Sequence, residues 1–264
     1  MNTKTILCWA VAVVVAVGAW WFLAKGPGIS LSPVENQKQH VLEGTPTPSG
    51  DLEYKEEEEF YEIHAVYPAK TSITNAKADQ RARMTIEQGL RASIEQFKTD
   101  SNLEHLTPED IEIQGLGGER KYTLDITYEA HASDNFFSYI FTIYSDTLGA
   151  HPNVFFKTFV FNGVGEEVAL SDLFKENVRY LERLSGEAYQ QIIAQLRERI
   201  GIEITPDMEE TVRIGTSPTP ETLQFFYLDG GALHIIIPPY QAAAYAAGYF
   251  DISIPLSSLK DILK

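Results

Sequence analysis

The chain has 264 residues, 44% of them hydrophobic, 22% charged and 11% aromatic, a globular composition that excludes a disordered or collagenous protein. Its 37 acidic residues outweigh 21 basic ones for a net charge of −16, which argues against nucleic-acid binding, because phosphate contacts need clustered Lys and Arg. The single cysteine, Cys8, excludes an intramolecular disulfide framework and any multi-cysteine metal site.

Residues 1–25 read as a transmembrane anchor. Ile6 to Ala24 carries no charge, and a helix of that length spans about 28 Å, close to the hydrocarbon thickness of a bilayer. Lys4 and the amino terminus precede the run and Lys25 follows it, a bias that favours an inside amino terminus. Trp20, Trp21 and Phe22 suit the lipid–water interface at the far end. A cleaved secretory signal is the rival reading. Its apolar core would run only ~7–15 residues, and no small-x-small pair follows this one. The expectation is therefore an uncleaved, single-pass anchor in the cytoplasmic membrane through residues 6–24, with everything after it extracytoplasmic. Cys8 lies before the apolar core rather than after it and does not read as a lipoprotein acylation site.

Residues 26–52 contain Pro27, Pro33, Pro46, Pro48 and four glycines but no aromatic residue, the composition of a flexible linker. As a random coil it reaches roughly 30 Å. A body follows, read as two subdomains over 53–148 and 149–264. In the first, Tyr61, Ile63 and Ala65 alternate with Glu62 and His64 as on a half-buried strand that Pro68 stops. Asn75 caps a helix to about Lys98, with Ala82, Ile86, Leu90, Ile94 and Phe97 on one stripe. Tyr122, Leu124, Ile126 and Tyr128 alternate on a further strand. Phe137 to Tyr144 and Val154 to Phe161 are two more, and the turn NGVGEE leads into Val168 and Leu170. A second helical region runs from Asp172 to Ile200, with Ser185 as a fresh cap. Thr205 to Pro220 reads as loop-rich. Leu223 to Leu228 and Ala232 to Ile237 form a hairpin around Asp229-Gly230-Gly231. Phe250, Ile252 and Ile254 mark a last strand, and Leu256 to Leu263 a short closing helix. Strands that follow one another through tight turns predict an α+β fold with a mostly antiparallel sheet and packed helices after one amino-terminal transmembrane helix.

No motif for catalysis is present. The six histidines, His40, His64, His105, His131, His151 and His234, include no helical zinc pair and no HExxH. There is no GxSxG elbow and no P-loop. The glycine-rich GLGGE at Gly115 to Glu119 precedes a strand, lacks the helix that would hold a phosphate, and reads as a turn. The glutamates from Glu56 to Glu59 read as a solvated strand flank, and His64 and His234 as polar or half-buried strand residues. The chain is thus expected to have no catalytic residues, no metal and no cofactor.

Four stretches together carry a resemblance: YEIHAVYP with Asn75 after it, GAHPN at Gly149 to Asn153, VALSDLF at Val168 to Phe174, and IIIPPYQAAAYAAGYFDISIP at Ile235 to Pro255. They resemble the paired domains of unknown function found beside the catalytic domain of peptidoglycan deacetylases and in the extracellular part of lysozyme-sensing anti-sigma factors. The resemblance runs from about Tyr61 to the end. A metal-binding deacetylase domain and a cytoplasmic sigma-binding domain both lack room in this sequence, so it implies the accessory body alone. That body would be a membrane-anchored, extracytoplasmic binding or sensing module without catalysis, whose partner is a cell-wall glycan or a basic envelope protein such as lysozyme. Tyrosines set among small residues make a ligand surface as well as a packing one. His151, Asn153, Tyr240, Tyr245 and Tyr249 are the candidate ligand-binding residues. The alternatives are a cell-wall hydrolase or deacetylase-like enzyme built from carboxylates and His151, and a structural envelope subunit.

Overall fold

A computed structural model describes residues 42, 44–47, 50–201 and 203–264; the expected anchor at 6–24 lies outside them. Alternating apolar residues build a six-stranded sheet whose spatial order follows the chain: β1 (Thr45–Pro46), β2 (Leu52–Glu57), β3 (Tyr61–Tyr67), β4 (Tyr122–Ser133), β5 (Phe136–Asp146) and β6 (Asn153–Asn162). All neighbours are antiparallel except β3 and β4, which pair in parallel from Tyr61 opposite Tyr122 to Ala65 opposite Ile126. A parallel pair needs a long crossover, supplied here by α1 (Ala76–Asp100) and α2 (Pro108–Gln114). Asn75 caps α1 by accepting from the backbone N–H groups of Lys77 and Ala78. The predicted stripe from Ala82 to Phe97 is buried along its length. It lies on Ile63, Ala65, Leu124, Ile126, Phe141, Phe159 and Phe161 of the sheet. The helix approaches closely because Gly89 has no side chain: a Cβ there would meet the Phe159 ring at 2.5 Å.

A second core forms around α3 (Tyr180–Ile200), α4 (Pro206–Gly215) and a three-stranded antiparallel sheet of β7 (Phe226–Asp229), β8 (Ala232–Ile237) and β9 (Phe250–Pro255). Leu184, Ala188, Ile192 and Leu196 of α3 pack on Leu233, Ile235, Ile252 and Ile254. The two sheets meet where Ile140 and Phe156, on the face of the first sheet turned away from α1, touch Tyr227 and Ile236. Backbone bonds reinforce this junction: the Leu228 N–H donates to Ser138 Oγ at 3.0 Å, and the Gly231 N–H to Ser133 Oγ at 3.1 Å. Strand β6 serves both cores, with Phe159 and Phe161 on one face and Val160 on the other. The described residues thus form one compact unit, and the expected division between 148 and 149 falls in the turn joining β5 and β6, neighbours in a single sheet.

Other expectations shift. The order does not wait until residue 53. Thr45 and Pro46 pair with Glu53 and Leu52, and buried Leu42 accepts a hydrogen bond from the Tyr67 hydroxyl on its carbonyl. Thr205 to Pro220, expected as loop, contains α4, capped by the Thr205 side chain with Pro206 at its first position. The helical region expected from Asp172 is a single 3-10 turn at Leu170–Leu173, and α3 begins later, at Tyr180. Ser185 lies inside α3 rather than at a cap, and its hydroxyl donates to the Thr216 carbonyl. The closing helix is one 3-10 turn, Leu256–Ser258.

Candidate functional site

Two of the four resembling stretches, far apart in sequence, meet at one end of the body. The β5–β6 turn carries His151, and the long β8–β9 connection carries Tyr240, Tyr245 and Tyr249. The connection is fixed from beneath. Gln241 donates through its amide to the carbonyls of Gly215 and Thr222, at 2.8 and 2.9 Å. Ala242 is buried, and a Cβ on Gly215 would stand 2.2 Å from the Gln241 carbonyl oxygen. The far end is tied to α3 by Arg199, which donates to the carbonyls of Ala247 and Tyr249 at 2.7 and 2.8 Å and lies over the Phe250 ring. The alanines let this chain sit close to α3 and α4, which leaves the tyrosine rings on the outside.

The His151 ring stacks on Tyr245 at 3.9 Å between centroids and 14° between planes. Its Nδ1 lies 2.9 Å from the Pro152 carbonyl oxygen. A carbonyl oxygen only accepts, so Nδ1 carries the hydrogen and Nε2 is left to accept from the Tyr240 hydroxyl, 2.6 Å away. Both ring nitrogens are thus occupied and the imidazole is held in one orientation. Tyr240 adopts φ +69, a left-handed backbone that costs roughly 1–2 kcal/mol in a residue with a side chain. The turn bond from the Gln241 N–H to the Pro238 carbonyl and the bond to His151 offset it. Tyr240 and Tyr249 are 59% and 48% exposed, so these rings are offered to solvent. Tyr249 makes an edge contact with Phe156 of the sheet junction at 5.1 Å instead. Asn153 is exposed at the start of β6, two residues from His151. The structure therefore unites His151, Tyr240 and Tyr245, sets Tyr249 against Phe156, and leaves Asn153 exposed at the start of β6. The supports Gln241, Gly215 and Arg199 carry no signal in the sequence that ties them to this face.

A second polar group lies at the junction of the sheets. The Tyr227 ring is sandwiched between His234, stacked at 4.4 Å, and His131, tilted at 4.9 Å. Asp251 accepts from the Tyr227 hydroxyl at 2.7 Å and lies 3.1 Å from His234 Nδ1. Burial alone would raise the Asp251 pKa, but the bonds from His234 and Tyr227 outweigh it and hold the carboxyl below its ordinary value. For Tyr227, burial and the Asp251 bond both push the phenol upward. Tyr227, His234 and Asp251 satisfy one another, which is the arrangement of a structural network, whereas the buried His131 Nε2 makes no hydrogen bond among the described residues. His64 is likewise held between Glu53 and Asp125 on strand neighbours. Among the described residues no group of three or more His, Cys, Asp or Glu side chains is placed to hold a metal ion.

The comparisons with known proteins agree with this architecture. Residues 171–257, which hold α3 to β9 and all three tyrosines, match the family described as "Protein of unknown function (DUF3298)". Over 192 residues, 72% of the chain, the sequence is 27% identical to the peptidoglycan-N-acetylmuramic acid deacetylase PdaC of Bacillus subtilis. The resemblance to the regions that accompany peptidoglycan deacetylases is thus borne out. The matched part is 37% of that enzyme's length, so the chain spans well under half of it. Two crystal structures share the fold. A DUF3298 member from Bacteroides fragilis has a TM-score of 0.54 at 17% identity, covering 81% of this chain and 92% of that one. A DUF3298 protein from Pseudomonas aeruginosa has 0.52 at 14%, covering 81% and 93%. The shared fold therefore reaches well beyond residues 171–257.

Proposed function

We propose that this chain is a non-catalytic binding module of the bacterial cell envelope, and that it presents the face of His151, Tyr240 and Tyr245 to a cell-wall glycan. The observation that carries the reading is that face itself. Tyr240 is exposed and His151 and Tyr245 are half-buried, their rings already held by stacking and hydrogen bonding, so a sugar could stack on the open side with little further loss of side-chain entropy. The deacetylase relative, whose name gives peptidoglycan as its substrate, points to the same class of ligand. In this reading residues 6–24 are a single-pass anchor that keeps the body at the outer surface of the membrane. The test is co-sedimentation of the detergent-solubilised full chain with purified peptidoglycan. Binding that Tyr245→Ala lowers at least tenfold supports the proposal. Binding that this substitution leaves unchanged, or acetate or cleaved glycan released on incubation, rejects it.

A second reading rests on charge. Residues 26–264 carry all 37 acidic residues and 19 basic ones, since Lys4 and Lys25 lie outside, giving −18. Such a body steers a basic envelope protein such as lysozyme toward itself. Screening over ~8 Å at physiological ionic strength separates steering from a fitted site. Lysozyme capture that survives that salt and requires Tyr240 and Tyr245 favours this second reading over the glycan.

A further inference from the structure

The third resembling stretch, VALSDLF, lies away from the aromatic face and has a site of its own. A cavity of about 530 Å³ opens between β6, the strap of residues 167–172, the first turn of α3 and the segment leading into β7. It is a hollow open to solvent, with Glu167, Ser171, Asp172 and Gln224 exposed, and its volume falls in the ~300–1,000 Å³ range of ligand pockets. One wall is apolar, made by Val160, Leu170 and Phe226. Tyr180 closes a side, its ring stacked on Phe174 at 4.5 Å.

The polar groups are richer in acceptors than in donors, the donors being the Thr158 and Ser171 hydroxyls and the Gln224 amide. Glu167, Thr158 and Ser171 line the cavity, and their side chains make no hydrogen bond or ion pair within the described residues. Asp172 spends one oxygen on the Ala169 N–H and keeps the other as an acceptor, while Gln224 spends one amide hydrogen on the Glu221 carbonyl and keeps its single oxygen as an acceptor and its second hydrogen as a donor. No Lys, Arg or His is among the lining residues. A site with two carboxylates, no cation and an excess of acceptors repels anions and calls for a ligand that brings donors. Although Glu167 is exposed overall, partial desolvation raises its pKa, with the charge of Lys157 opposing it only in part. This carboxyl is therefore short of positive charge.

We infer that this cavity binds an amino sugar in its ammonium form, with Glu167 as the counter-ion, the Thr158 and Ser171 hydroxyls meeting ring hydroxyls, and Phe226 covering the apolar face of the ring. The volume and the hydroxyl pair distinguish this ligand from a simple alkyl amine, for which a carboxylate alone would suffice. The N-acetylated sugar is disfavoured, because its amide is neutral and leaves Glu167 unpaired. The site is separate from the aromatic face, and the inference does not depend on the glycan reading of that face.

The experiment titrates the full chain with the disaccharide of glucosamine, its di-N-acetylated form, cellobiose and lysine amide, followed by calorimetry and by backbone amide shifts. The expected result is that the glucosamine disaccharide binds at least tenfold tighter than the other three, with shifts clustered at 158–172 and 224–226. Glu167→Gln, a near-isosteric change at an exposed position, should lower that affinity at least tenfold with an unchanged melting temperature. Ser171→Ala should lower it several-fold. Binding should weaken as pH falls through the raised Glu167 pKa. Equal binding of all sugars, lysine amide binding as tightly as the amino sugar, unchanged affinity in Glu167→Gln, or shifts confined to His151, Tyr240 and Tyr245 would each overturn it.

Discussion

Gly215 decides how close the tyrosine connection lies to α4, since a single methyl group there would stand 2.2 Å from the Gln241 carbonyl oxygen and 2.6 Å from Ala242 Cα. Both obstacles are backbone, so neither swings aside. Gly215→Ala should cost about 1–3 kcal/mol, as overpacking does, and should also weaken peptidoglycan co-sedimentation; an unchanged urea midpoint would show that the connection moves freely. Asp251 gives a second residue-level expectation. Its folded pKa is depressed, so its stabilising contribution is present above the ordinary carboxylate pKa of about 3.9 and disappears as pH falls through the folded value. Asp251→Asn should therefore lower stability at neutral pH by about 1–3 kcal/mol, and the difference from the parent should narrow in acid. Urea midpoints measured from pH 7 downward check both points, and a difference that stays constant into acid would place the stabilisation elsewhere. At this scale the sequence showed which tyrosines and which histidine were unusual but not that they meet. Tyr240 and His151 are separated by two helices and three strands, and the packing of β6 on β8 through Phe156 and Ile236 brings them within 2.6 Å. Nothing local encodes that distance.

Elements were legible where burial is one-sided. Strand β4 alternates cleanly because one face meets α1, and α1 shows its stripe because one face meets the sheet. Strand β2 hid behind charge: LEYKEE reads as solvated, yet it pairs with β3 along its whole length. Its Glu56 is held by Lys98 at 2.7 Å and by the Tyr54 and Tyr61 hydroxyls, which together outweigh burial and keep the carboxyl low. Charges near a sheet edge are a common guard against unwanted pairing. The short helices α2 and α4 went unread for a different reason. Each begins with a Thr–Pro pair, Thr107–Pro108 and Thr205–Pro206, in which the threonine caps and the proline takes the first helical position. That signal was present in the sequence, but few apolar residues follow it, and without a stripe a short helix looks like a loop. The cap of α1 offers the clean test. Asn75→Ala removes the acceptor for two backbone donors and should cost about 1 kcal/mol, whereas Asn75→Asp should be close to neutral; equal losses in thermal melts would mean that the cap contributes nothing and the packing of the stripe holds the helix alone.

On the scale of the whole molecule, β6 decides cooperativity and β1 decides where the molecule starts. Composition suggested a tether to residue 52, because prolines and glycines crowd the segment and no aromatic residue lies in it. Composition does not register what a neighbour contributes. Tyr67 reaches back to the Leu42 carbonyl at 2.9 Å, and Tyr128 bonds to the Asp51 carboxylate, so the aromatic anchors of the early segment lie on β3 and β4. A Cβ on Gly44 would stand 2.4 Å from the Tyr67 hydroxyl oxygen, which fixes how closely this strand end is laid down. Two chains differing only in their first residue measure the effect. One beginning at residue 42 keeps Leu42, the β1–β2 pairing and both tyrosine bonds; one beginning at residue 53 loses all of them and leaves the buried Tyr67 hydroxyl without its acceptor. Leaving a buried polar group unsatisfied costs about 1–3 kcal/mol, and the exposed Leu42 surface adds to it. The shorter chain should thus melt at lower temperature, by several degrees for a domain of this size. Both should nevertheless show one transition, because Phe159 and Phe161 sit in one core while Val160 sits in the other, and neither core can open without disturbing β6. All three tryptophans, Trp9, Trp20 and Trp21, precede residue 42, so calorimetry and far-ultraviolet circular dichroism must report the melt. Equal melting temperatures would return the segment before residue 53 to the tether, and two resolved transitions would restore a division of the body into independent halves.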